Sequence, residues 1–219
     1  MDHAHLKARH RAERDGHDET LSVRLHRALS WLNRAEQLAD DPDSQFIFLW
    51  IAFNAAYATD IDDSVRLAEQ SLFRSFLRRL DALDRGRQRI ERLVWEEFAQ
   101  SIRALLDNPY VSPDFWKWHN GEIDEPEWKL RFATDRRRAN RALAREATLQ
   151  VLGIALSRVY TLRNQLLHGG ATWNGKVNRH QVRDCTRMMA RLVPLVIEIM
   201  LDHPQAKWPK PSYPVIVGT

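Results

Sequence analysis

The sequence predicts an all-α protein on two observations. Apolar residues recur at i, i+3, i+4 and i+7 in six separate segments, the spacing that lines one face of a helix. No stretch shows the strict alternation of a half-buried strand, although Pro214–Val217 has the composition for one short strand. A chain of 219 residues is long enough to bury a sizeable core.

The elements follow in order. Residues 1–18 carry His3, His5, His10 and His17 among charges without an apolar period, which reads as a disordered tail. Leu21, Leu25, Leu29 and Leu32 set a helix over about 19–39. Asp40-Asp41-Pro42-Asp43 breaks it, and Asp43 or Ser44 can cap the next. That helix, 46–58, is the most apolar stretch. Phe46, Trp50, Phe53 and Tyr57 form one stripe with Ile47 and Ile51 beside it, so a central buried helix is expected. Amphipathic segments follow at 64–83 and 87–106, parted by Gly86. Three prolines and Asn120-Gly121 then mark a long loop or insertion over about 107–134. A basic segment, Arg136-Arg137-Arg138-Arg141-Arg145, opens a helix predicted to run from near Asp135 to Leu167. A last helix spans about 178–202, and Pro204, Pro209, Pro211 and Pro214 make 204–219 an extended surface tail.

Bulk chemistry narrows the classes. The most apolar candidate span, LVPLVIEIML, is too short for a bilayer and carries Glu198. The polar N-terminus does not resemble a signal peptide. The lone Cys185 excludes an internal disulfide and fits a reducing, cytoplasmic location. Among 33 basic residues 27 are arginine. This bias suits bidentate phosphate contacts, and it follows equally from a GC-rich coding sequence. No HExxH or similar spacing offers a metal site, so neither metal nor cofactor is expected.

The segment TLRNQLLHGG at 161–170 concentrates the chemistry. Ala155, Val159, Leu162 and Leu166 share one helix face. Ser157, Thr161, Asn164 and His168 repeat the spacing two residues off and run along the opposite side. Asn164 and His168 are i, i+4 neighbours, and Tyr160 lies one turn below Asn164. Arg163 stands about 140° from His168 on a regular helix, so the two meet only if the last turn loosens or if a second subunit supplies one of them. A histidine followed by Gly-Gly is also ordinary C-terminal capping chemistry. Asn54 interrupts the apolar helix; its amide either ties helices together or serves the site.

These residues resemble a known superfamily. RNQLLHG is similar to the Arg-x4–6-His signature of HEPN domains, and FLWIAFNAAY resembles the second helix of bacterial HEPN groups. The resemblance covers roughly residues 20–105 and 145–202. It implies a single HEPN-like helical domain over 19–203 that pairs into a homodimer with two motifs facing one groove. Many members are metal-independent endoribonucleases of toxin–antitoxin and phage-defence systems, which implies RNA as substrate and an antitoxin protein as a further partner. Others only bind nucleotides or partners. Arg163, Asn164 and His168 are then the expected catalytic residues. The 2′-OH attacks, histidine moves protons near neutral pH, and arginine stabilises the phosphorane-like charge. Asn54, Tyr160, Arg136, Arg137 and Arg138 are the expected substrate contacts, and the basic segment either tracks phosphates or is a solvated helix face. Trp116, Trp118 and Trp128 either stack on bases or pin the loop to its own domain.

Overall fold

The computed structural model describes residues 2–58, 66–176, 179–211 and 213. Among them it is all-α, with no strand. The described residues form ten helices: α1 (His3–Glu13), α2 (Glu19–Glu36), α3 (Pro42–Tyr57), α4 (Arg66–Asp84), α5 (Arg89–Arg92), α6 (Ala99–Asp107), α7 (Pro113–His119), α8 (Glu125–Ala144), α9 (Thr148–Leu167) and α10 (Arg179–Asp202). No helix of the described residues is long and apolar enough to cross a membrane. Where a single domain with an insertion is expected, the chain divides into two compact units, residues 88–188 and the remainder on either side. The Pro214–Val217 strand lies outside the described residues.

The first unit begins with a correction: the expected disordered tail is helical. Asp2 caps α1 by accepting from the His5 backbone N–H at 3.0 Å. Leu6 and His10, one turn apart, are buried, and Arg9 pairs with Asp202 at 2.7 Å. Two buried positions are too few to register as an apolar period. Asp18 caps α2. Asp41 caps α3 with Pro42 in its first turn, so the cap lies earlier than Asp43 and the proline read as a break begins a helix. Phe46, Trp50, Phe53 and Tyr57 are buried as one stripe. Ile47 and Ile51 are only half-buried, so α3 is amphipathic in packing although apolar in composition.

Arg24 organises the far end of α3. Its side chain is fully buried, and its five N–H donors meet five main-chain carbonyls. Nε donates to Pro209 O at 2.7 Å. One terminal nitrogen donates to Ala55 O and Ala56 O, the other to Ala58 O and Lys210 O. Three of these carbonyls lie at the C-terminal end of α3, which otherwise lacks partners. The other two fasten residues 209–210, and Trp208 beside them is buried, under the Arg79 guanidinium at 5.0 Å. The tail, expected on the surface, is anchored through Lys210.

His10 adds a pH response. Its ring lies 5.9 Å from that of His17, and all four ring nitrogens are buried without a hydrogen-bond partner. Burial, with the nearby Lys7, His17, His26 and Arg14 acting in the same direction, pulls the His10 imidazole down to about 4. The unfolded chain takes up this proton near pH 6.5, before the folded one does. The stability from neutral His10 is therefore complete above that pH and is lost as pH falls toward 4. The melting temperature is expected to decline across this window in the wild type and less steeply in His10→Leu.

In the second unit the predicted helix over 87–106 is interrupted. Phe98 N–H donates to Leu93 O at 3.1 Å, a widened π-type turn across Leu93–Glu97. The predicted loop at 107–134 holds α7 and the start of α8. Pro113 and Pro126 sit in first turns rather than breaking the chain. Phe115 is ringed by Tyr110, Trp116, Trp118 and Trp128 at 5.1 to 5.5 Å, so this segment packs chiefly on itself. The long helix expected from Asp135 to Leu167 is two, α8 and α9, joined by a turn in which Glu146 takes a φ of +48°.

Candidate functional site

α9 carries the RNQLLHG residues at its C-terminal end. Val151, Leu152, Ala155, Leu156, Val159 and Leu162 are buried, and this face holds the helix against α6 and α8. Arg158 lies on the same face, 3% exposed. It reaches Asp135 at 3.4 Å and stands over the Phe132 ring at 5.9 Å. Burial holds its guanidinium below the usual arginine range, with Asp135 and Asp114 opposing the shift. It is a structural cation between α8 and α9. An arginine three residues after Ala155 and four before Leu162, on the core face, is the sequence signal that marks it.

The polar stripe is only partly polar in its surroundings. Ser157 and His168 are exposed and Asn164 half-buried, but Thr161 is buried and donates its hydroxyl to Ser157 O at 3.3 Å. Arg163 donates to Asn164 Oδ1 at 2.9 Å, and its guanidinium lies 5.8 Å from the Tyr160 ring centroid. The structure thus brings Tyr160, Arg163 and Asn164 together. Arg163 Nε is buried without a hydrogen-bond partner.

His168 stands apart from that cluster. It is the C-cap of α9 (φ −92°, ψ 12°), with its backbone N–H on Asn164 O. Gly169 adopts φ +71°; its N–H bonds Leu166 O at 3.3 Å, and Gly170 N–H bonds Gln165 O at 2.7 Å. This is a Schellman ending. It requires a glycine at 169, and a Cβ on Gly170 would stand 3.1 Å from Gln165 O. His168-Gly169-Gly170 therefore has a full structural role whatever the imidazole does. Among the described residues that imidazole has no hydrogen-bond partner, and within one chain it is not bonded to Arg163.

Gln165 and Tyr110 are the neighbours that sequence reasoning missed. Gln165 donates to Tyr110 O at 2.6 Å, and Trp116 Nε1 donates to the same oxygen at 2.7 Å. One carbonyl thus ties the aromatic cluster to the end of α9. A polar residue beside a catalytic-type motif was the only available hint.

The remaining expected substrate residues separate. Asn54 belongs to the first unit, half-buried on α3, and its side chain makes no hydrogen bond among the described residues. Arg136, Arg137 and Arg138 are exposed on three successive faces of α8 and form no single stripe. Arg136 donates through Nε to Asp107 at 2.7 Å, and Arg137 donates to Thr134. Among the described residues no group of three or more His, Cys, Asp or Glu converges to hold a metal ion. Comparison with known proteins finds no family model that matches the chain, and neither a curated protein nor a solved structure matches it.

Proposed function

We propose that the protein is a HEPN-like endoribonuclease that cleaves RNA without a metal ion, leaving 2′,3′-cyclic phosphate and 5′-OH ends, in a toxin or defence setting. The observation that carries this reading is the end of α9. An arginine braced by its neighbouring asparagine and an exposed histidine lie within six residues of one helix terminus. Arg163 supplies fixed positive charge to the scissile phosphate, and Asn164 fixes the fork. His168 moves the proton of the 2′-OH or of the leaving oxygen.

Since Arg163 and His168 are not bonded to each other within one chain, a homodimer completes the site, with His168 of one copy facing Arg163 of the other. The same observation favours a second reading, a non-catalytic module that holds a nucleotide or a partner protein such as an antitoxin.

RNA cleavage in EDTA by wild type and by His168→Ala separates the two. Under the first reading the wild type cuts to cyclic-phosphate ends, and the variant loses about 10²–10⁴-fold in rate. A folded wild type that binds RNA or nucleotide without cutting supports the second. Equal cleavage by both proteins would remove His168 from the chemistry.

A further inference from the structure

A cleft of about 220 Å³ opens between α6 and α8. It lies apart from the Arg163–His168 turn, because no residue of α9 lines it. Arg103 comes from α6, and Arg136 and Asn140 come from one face of α8; Leu106 and Ala139 give apolar lining. We propose that this cleft binds a phosphate ester, a site separate from the end of α9.

The argument rests on how the two arginines are held. Arg136 donates only its Nε, to Asp107, so its two terminal nitrogens have no partner among the described residues. Arg103 has no partner there at all. Two arginines with uncommitted N–H donors thus line one depression from neighbouring helices, and guanidinium forks suit the oxygens of a tetrahedral anion. Asp107, itself in the lining, competes for Arg136 but does not neutralise the pair of arginines. The ion pair is about half exposed on both sides and is too solvated to hold Arg136 against a multiply charged ligand. Asn140, one turn beyond Arg136, adds an amide that can donate to the same anion or to the group it esterifies. Leu143 also lines the cleft and is only half-buried, so the organic group of an ester has apolar surface to cover that inorganic phosphate leaves bare.

Calorimetry at low ionic strength tests this with inorganic phosphate, uridine 5′-monophosphate and uridine as probes. The monophosphate should bind saturably and more tightly than inorganic phosphate, while uridine gives no heat. Arg103→Ala and Arg136→Ala, both at exposed positions, should each weaken the monophosphate about tenfold or more with unchanged melting temperature. Asp107→Asn should act in the opposite sense and tighten it, because it removes the competing carboxylate; damage to the fold does not do that. Competition by a 5′-phosphorylated oligonucleotide, but not its 5′-hydroxyl twin, assigns the ester to a strand end, and lack of competition assigns it to a free small molecule. The proposal is overturned if neither phosphate probe binds, if the arginine variants bind as wild type does, or if Asp107→Asn weakens binding. None of these variants touches Arg163, Asn164 or His168, and no readout needs RNA cleavage, so each proposal stands or falls alone.

Discussion

Replacing Arg24 by methionine is expected to cost roughly 3 kcal/mol or more, among the largest effects of any single substitution in the first unit. Methionine fills much of the volume but offers no donor. It leaves the carbonyls of Ala55, Ala56, Ala58, Pro209 and Lys210 without the guanidinium that now serves all five. Each buried carbonyl left bare costs about 1–3 kcal/mol, less where water reaches it. The cation also faces the negative end of the α3 dipole. Burial pulls this guanidinium down to about 10, so it remains charged at neutral pH. Arg24→Lys tests the geometry separately from the charge, for three donors on one nitrogen cannot reach carbonyls spread over two segments. Lysine should therefore recover less than half of the loss. A urea titration reads both, and for a chain of this size roughly 3 kcal/mol corresponds to about 6–12 °C in melting temperature. Wild-type stability in Arg24→Met would mean that water replaces the guanidinium at no cost.

The second large effect concerns Arg163 under the proposed ribonuclease activity. Arg163→Ala should lower the cleavage rate about 10²–10³-fold, the loss typical when a preorganised donor to the transition state is removed. Arg163→Lys should recover little, because one guanidinium nitrogen is committed to Asn164 and a single ammonium cannot both hold the asparagine and face the phosphate. The informative variant is Asn164→Asp. It keeps the brace and strengthens it as an ion pair, yet sets a negative charge against the arginine. If Asn164 only positions Arg163, Asn164→Ala lowers kcat modestly and Asn164→Asp lowers it much further. Equal effects of the two would show that the asparagine itself contacts the RNA.

Much of the helical content was legible because burial follows the 3.6-residue period wherever an element is long. The stripe from Phe46 to Tyr57 and the α9 face from Ala155 to Leu162 are buried as spaced. What misled was punctuation. Pro42, Pro113 and Pro126 look like breaks but occupy helix first turns, where a missing N–H costs nothing. The real interruption at Glu146 carries no glycine to announce its positive φ. The partners of arginines on apolar faces were illegible for another reason. Arg24 and Arg158 lie among leucines and valines at core spacing, and only the fold reveals that main-chain carbonyls receive the first and Asp135 the second. At the motif, the adjacency of Arg163 and Asn164 is already a sequence fact, but only the fold reveals that Arg163 turns to Asn164 and Tyr160 and not to His168.

Division into two compact units has a spectroscopic consequence. Trp95, Trp116, Trp118, Trp128 and Trp173 fall within residues 88–188, against Trp31, Trp50 and Trp208 in the first unit. Indole emission therefore weighs the second unit more heavily, whereas far-ultraviolet ellipticity counts helical peptide groups in both. Followed side by side during heating, the two signals count the cooperative blocks of the chain: superposed transitions mean one, and displaced transitions mean two.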